Sequence, residues 1–205
     1  MAPNRRRGAE ATQDELLDAV EHVLFESGQA SVSYRTVAAQ AGVTPSLIQY
    51  YFPTIDGLFA AMIRRLTGRQ SDRWNEALQR RPDEPLRVLW EYSRGEAAGA
   101  LGTEIIALGA RRPALIAEIS AGTERIRKLQ LKAIARKYGD LTFLGDTFPP
   151  DAMVLLVTSI PKILSLEETI HVNLAHRQLI KAFERYLDSV EPKSRARRTK
   201  APVNR

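Results

Sequence analysis

Cysteine is absent from the 205 residues. Its absence excludes disulfides and thiolate metal sites, and it fits an intracellular protein. Histidine is scarce. His22, His171 and His176 are the three, and the last two are five apart, so they do not share a helix face as i, i+4 metal ligands do. There is no glycine-rich phosphate loop and no G-x-S-x-G elbow. The chain therefore reads as a non-enzyme, with no metal and no cofactor. Long apolar runs are missing as well. The longest, "AMVLLVTSIPKIL", is interrupted by Pro161 and Lys162 and is too short to span a bilayer. The start, "MAPNRRRGAEAT", lacks the apolar segment of a secretory signal. A cytoplasmic protein with no membrane partner is expected.

What is present is an ordinary globular balance, 44% hydrophobic and 26% charged, so a buried core is expected. The net charge of +6 is unevenly placed. Residues 1–8 carry +3 through Arg5, Arg6 and Arg7, residues 191–205 carry +5, and residues 9–190 are left at −2. Both basic ends read as disordered arms, suited either to a polyanion or to keeping the protein soluble.

The pattern between them is helical throughout, which predicts an all-α fold. Leu16, Ala19, Val20, Val23 and Leu24 recur at helical spacing. Thr12 and Glu15 have the spacing of a capping box ahead of them, and Gly28 closes the segment. Ser33 reads as the N-cap of a short helix carrying Val37, Ala38 and Ala41. Gly42 follows, Thr44 reads as the next N-cap, and Pro45 takes the first helical position. Thr54 reads as a fourth N-cap. Residues 12–53 thus hold three helices, the last two joined by "AGV". That is the helix-turn-helix signature, although a glycine αα-corner in a protein that never touches DNA has the same spacing.

Beyond residue 54 the predicted helices are 54–80, 85–94, 96–110, 113–138, 150–170 and 173–190. In the helix over 150–170, Met153, Leu156, Val157, Ile160 and Leu164 mark one face, while Val154, Leu155 and Ile163 lie elsewhere. A helix apolar on more than one side needs burial on more than one side. A homodimer interface through 150–170 and 173–190 would supply it; so would a central position in a monomer.

The stretch "LLDAVEHVLFESGQASVSYRTVAAQAGVTPSLIQYYFPTIDGLF" (16–59) resembles the DNA-binding region of the TetR family of bacterial transcription regulators. The resemblance implies an all-α homodimer: an N-terminal three-helix helix-turn-helix domain (9–65) and a larger helical ligand-binding and dimerisation domain (66–190). It implies a repressor of a double-stranded DNA operator, released by a small-molecule effector. A ligand-independent or architectural DNA-binding protein is the alternative.

In such a motif the second helix enters the major groove. Helical phase exposes Thr44, Pro45, Ser46, Gln49 and Tyr50, and turns Leu47, Ile48 and Tyr51 inward. Gln49 can pair with adenine, and Ser46 can donate or accept. Tyr50 matches the family's phosphate-bonding position. Ser33, Tyr34, Arg35 and Thr36 open the preceding helix, where first-turn amides favour phosphate. The family often has a lysine just after "FP"; here Ile55 is near that place. Residues 9–69 hold four arginines against seven acids, an unexpected footprint for DNA binding. The Arg5–Arg7 arm is the candidate source of attraction. For an apolar effector, Trp90, Ile105, Leu108, Ile116, Ile119, Met153 and Val157 are candidate lining residues, with Glu104, Ser120, Thr123 and Thr158 as polar contacts. Plain core packing accounts for the same residues.

Overall fold

The computed structural model describes the backbone of residues 3–97 and 101–192 and the side chains of residues 12–95 and 104–192. Among the described residues the chain forms nine α-helices and no strand, only an isolated antiparallel bridge between Phe143 and Phe148. The helices are α1 (Pro3–Ser27), α2 (Tyr34–Ala41), α3 (Pro45–Tyr51), α4 (Ile55–Arg80), α5 (Pro85–Ala97), α6 (Leu101–Arg111), α7 (Ile116–Tyr138), α8 (Pro150–Thr169) and α9 (His176–Val190). Two short 3-10 turns, Gln29–Ser31 and Pro113–Leu115, precede α2 and α7.

Three boundaries differ from the sequence expectation. Helix α1 does not begin at the Thr12 box but runs unbroken from Pro3. The reason is local. Arg, Ala and Glu, all strong helix formers, fill the segment upstream of Thr12. Residues 3–8 are therefore helical rather than a disordered arm. The side chains of Arg5, Arg6 and Arg7 lie outside the described residues. At the other end, Glu191 is not part of a disordered tail: it is buried. Residues 193–205 lie outside the described residues.

The helices group into two compact units, Met1–Arg73 with Gly99–Arg127, and Trp74–Ala98 with Lys128–Arg205. The division falls inside α4 and α7 rather than at residues 65–66. It falls there because Leu66, Ile105, Leu108 and Leu115 belong to the same hydrophobic cluster as Leu16, Val20, Val37, Ile48, Phe59 and Met62. Each such fully buried aliphatic or aromatic side chain contributes about 1.5–3 kcal/mol of transfer free energy. Two close approaches fix the first unit further. A Cβ on Gly122 of α7 would lie 2.6 Å from Thr67 of α4, and one on Gly109 of α6 would lie 2.7 Å from Ile119.

In the second unit α5 packs chiefly on α8. Its core holds Trp74, Leu86, Leu89, Trp90, Met153, Val157, Phe183 and Leu187. The rings of Trp90 and Phe183 lie 4.5 Å apart between centroids. Helix α8 has a second apolar stripe that stays exposed: Leu155, Ile163, Leu166 and, just past its end, Ile170.

Candidate nucleic-acid interface

The interface is assembled from α2 and α3, which pack on each other, with α2 also packing on α1. Helix α2 starts at a closed capping box. Ser33 Oγ accepts from the Thr36 amide at 3.2 Å, and Thr36 Oγ1 accepts from the Ser33 amide at 2.9 Å. Thr36 Oγ1 also donates to the Ser31 carbonyl at 2.6 Å. Both hydroxyls expected to face phosphate are thus committed to shaping the helix start. Tyr34 is engaged in the same way. It is half-buried, and its hydroxyl donates to the Phe52 carbonyl at 2.8 Å, tying the start of α2 to the end of α3. Arg35 is exposed and in no ion pair among the described residues.

Gly42 closes α2 at φ 67°, ψ 30°, and nothing lies within 4 Å of where its Cβ would be. Glycine is required there for the left-handed backbone, not for space. Pro45 then occupies the first turn of α3 as expected. Thr44 makes no side-chain cap. Its hydroxyl instead pairs with Ser46 Oγ at 3.0 Å.

Helix α3 is anchored by Ile48, which is fully buried, and by Phe52 just beyond its end. Tyr51 packs partly buried against the same core. Tyr50, one residue away and about 100° round the helix, is 77% exposed. The two rings meet edge to face at 5.2 Å. Thr44, Pro45, Ser46 and Gln49 are also exposed, so the expected reading residues share one solvent face.

Much of the acid excess of residues 9–69 is tied into ion pairs. Arg65 gathers Asp14, Asp18 and Glu21 of α1, with Nη2 at 2.6 Å from Asp18 and 2.5 Å from Glu21. Arg69 bonds Glu21 at 2.5 Å. Arg112, from the end of α6, bonds Asp56 at 2.5 Å. Four of the seven acids are thus paired, but with three arginines, of which only Arg112 lies outside residues 9–69; Arg64 in turn pairs with Glu118, so the acid excess is held in ion pairs and not removed. The i, i+4, i+7 spacing of Asp14, Asp18 and Glu21 on one face of α1 was a legible sign of this; the arrival of Arg112 was not.

The proposed effector lining is divided between the two units. Trp90, Met153 and Val157 are packed core of the second unit, while Glu104, Ile105, Leu108, Ile116, Ile119 and Thr123 belong to the first. Of these, Ile105 and Leu108 are buried, whereas Ile116 and Thr123 are exposed, as is Ser120. A hollow of about 570 Å³ on the first unit is lined by none of them.

Residues 16–62 match the family model described as bacterial regulatory proteins, tetR family. This segment is similar to the DNA-binding region of that family. No curated protein matches the chain. Solved structures share its fold at low identity. A TetR-family transcriptional regulator from Rhodococcus sp. superposes with TM-score 0.67 at 19% identity, over 88% of this chain and 99% of that one. A TetR transcription regulator from Haloarcula marismortui gives 0.66 at 17%, over 88% and 98%. FadR from Bacillus subtilis, in complex with stearoyl-CoA, gives 0.59 at 14%, over 87% and 97%. Among the described residues, no helix is long and apolar enough to cross a membrane.

Proposed function

We propose that this protein is a homodimeric TetR-family repressor that reads a palindromic operator and is released from it by a small, largely apolar effector. The observation that carries the reading is the pair at the end of α3: Tyr51 is held against the core while Tyr50 stands 77% exposed beside Gln49. An aromatic so exposed is costly to leave idle, and its hydroxyl suits a phosphate oxygen. Gln49 and Ser46 take the base edges, and Pro45 meets a thymine methyl. Arg35 pairs with phosphate, and Ser33, Tyr34 and Thr36 hold the shape of the turn. The Arg5–Arg7 segment adds charge attraction.

Dimerisation is supported by the exposed apolar stripe of α8 and by Leu179 on α9. Helices carrying four large aliphatics towards solvent gain by pairing with a second copy. The effector reading is supported by a protein of the same fold, FadR, having been solved with stearoyl-CoA. Trp90, Met153 and Val157 are the apolar candidates in the second unit, and Ile105, Leu108, Ile116 and Ile119 in the first, with Glu104 and Thr123 as polar candidates. An effector must bind the DNA-incompetent state more tightly, or it shifts nothing.

Selection of bound duplexes from a random pool tests the reading. The expected product is an inverted repeat with half-sites about 34–36 Å, one helical turn, apart. Recovery of sequence-blind, salt-sensitive binding alone would point to an architectural protein instead.

A further inference from the structure

At the end of α6 two adjacent arginines have different work. Arg112 bonds Asp56 at 2.5 Å and sets its guanidinium 4.8 Å from the centre of the Phe59 ring. It is a strut between α6 and α4. Arg111 is exposed, and among the described residues no acid pairs with it. Its partner is a neutral amide. With the Gln29 oxygen turned towards it, that oxygen accepts from Arg111 Nε at 3.1 Å and from Nη1. The amide orientation is assigned from the bonds it allows. A carboxylate could instead fill the Nε–Nη2 edge of the guanidinium with two oxygens.

Beside this edge lies the hollow of about 570 Å³, lined by Gln29, Ala30, Asp56, Arg111, Arg112 and Pro113 among others. All of these belong to the first unit. The volume is in the range of small-molecule sites. Ala30 and Pro113 give it an apolar wall. Because Arg112 neutralises Asp56, the hollow has one surplus positive charge, that of Arg111. We infer that the hollow binds a small organic monocarboxylate, whose carboxylate displaces the Gln29 amide from Arg111 and whose apolar body lies against Ala30 and Pro113. A phosphate dianion suits it less, because Asp56 shares the wall and one guanidinium is available for two charges. The site lies on the DNA-reading unit, apart from every residue considered above for the effector.

Benzoate is the probe, benzamide its neutral counterpart and inorganic phosphate the competing anion. Each is titrated calorimetrically, at constant ionic strength, into the full-length wild type and into Arg111→Gln, with thermal melts confirming that the variant folds. The expected result is saturable benzoate binding to the wild type, weakened roughly tenfold or more in Arg111→Gln, with benzamide silent and phosphate weaker. Gln29→Ala, which removes the displaced group, should tighten benzoate; it serves as the test if Arg111→Gln does not fold. Benzoate binding unchanged by both variants would overturn the proposal. So would benzamide or phosphate matching benzoate, or no saturable benzoate binding to the wild type.

Discussion

Replacing Glu191 with alanine should cost about 3–5 kcal/mol of folding stability, the usual effect of removing one partner from a buried charged set. The carboxylate lies at the start of α5 and is 3% exposed. Oε1 accepts from the Leu86 amide at 2.8 Å and from the Tyr138 hydroxyl at 2.6 Å, while Oε2 accepts from the Arg87 amide at 2.7 Å. Pro85 is the first residue of α5, so these amides belong to its second and third positions. Glu191, about a hundred residues downstream, does the work of an N-cap and puts a negative charge at the positive end of the helix. Alanine would leave three donors without an acceptor. Leu86 and Arg87 are 0% and 5% exposed, so water cannot replace it. Each orphaned buried donor costs about 1–3 kcal/mol, and partial relaxation brings the sum into the stated range. For a chain of this size each kcal/mol moves the melting midpoint by about 2–4 °C, so circular dichroism should show a fall of about 6–20 °C. The pH dependence gives a second reading. Burial raises the Glu191 carboxyl above its ordinary value, opposed by the Tyr138 hydroxyl and the two amides. A raised acid holds its proton more tightly in the folded state. Its contribution is therefore full below the ordinary carboxylate value and declines as pH rises through the raised one. The gap between wild type and variant should narrow with rising pH. A loss under about 1 kcal/mol would refute the capping argument, and a gap that widens with pH would mean that the bonds to the carboxylate outweigh its burial.

Three further substitutions probe the first unit. Tyr34→Phe removes the bond to the Phe52 carbonyl; urea denaturation should show a loss of about 1 kcal/mol, and operator binding should weaken because α2 and α3 are less firmly held. Arg65→Met strips Asp14, Asp18 and Glu21 of their shared cation at a guanidinium only 15% exposed; the expected loss is about 2 kcal/mol by urea denaturation, little changed by added salt. Gly122→Ala places a methyl against the stiff Thr67 side chain, and a loss of about 1–3 kcal/mol is expected from thermal melts.

The reading segment was legible because its determinants are local. A glycine at a left-handed position, a serine cap and a proline in the first turn act within a few residues, and helical phase alone separates Tyr50 from Tyr51. The bond of Tyr34 to the Phe52 carbonyl was not legible, because the two are brought close only by folding. Thr12 and Glu15 have the spacing of a cap, but spacing does not stop a helix when strong helix formers continue upstream. The pairing of the acids over residues 9–69 was only partly legible, because a sum of charges does not record pairing and Arg112 joins from far along the chain. The effector lining was hardest to read. Leucine, isoleucine, methionine and tryptophan line a cavity or fill a core equally well, and Trp90, Met153 and Val157 are packed as core.

The central claim is that α3 reads DNA with Gln49 on base edges and Tyr50 on the backbone. The most direct test measures Gln49→Ala and Tyr50→Phe on the selected duplex, on duplexes mutated one base pair at a time, and on a nonspecific duplex. Tyr50→Phe should weaken binding to all of them by a similar factor. Gln49→Ala should cost about 1–3 kcal/mol on the selected site and relax preference at one position of each half-site. If both variants bind every duplex as the wild type does, α3 is not the reading helix and the account is contradicted.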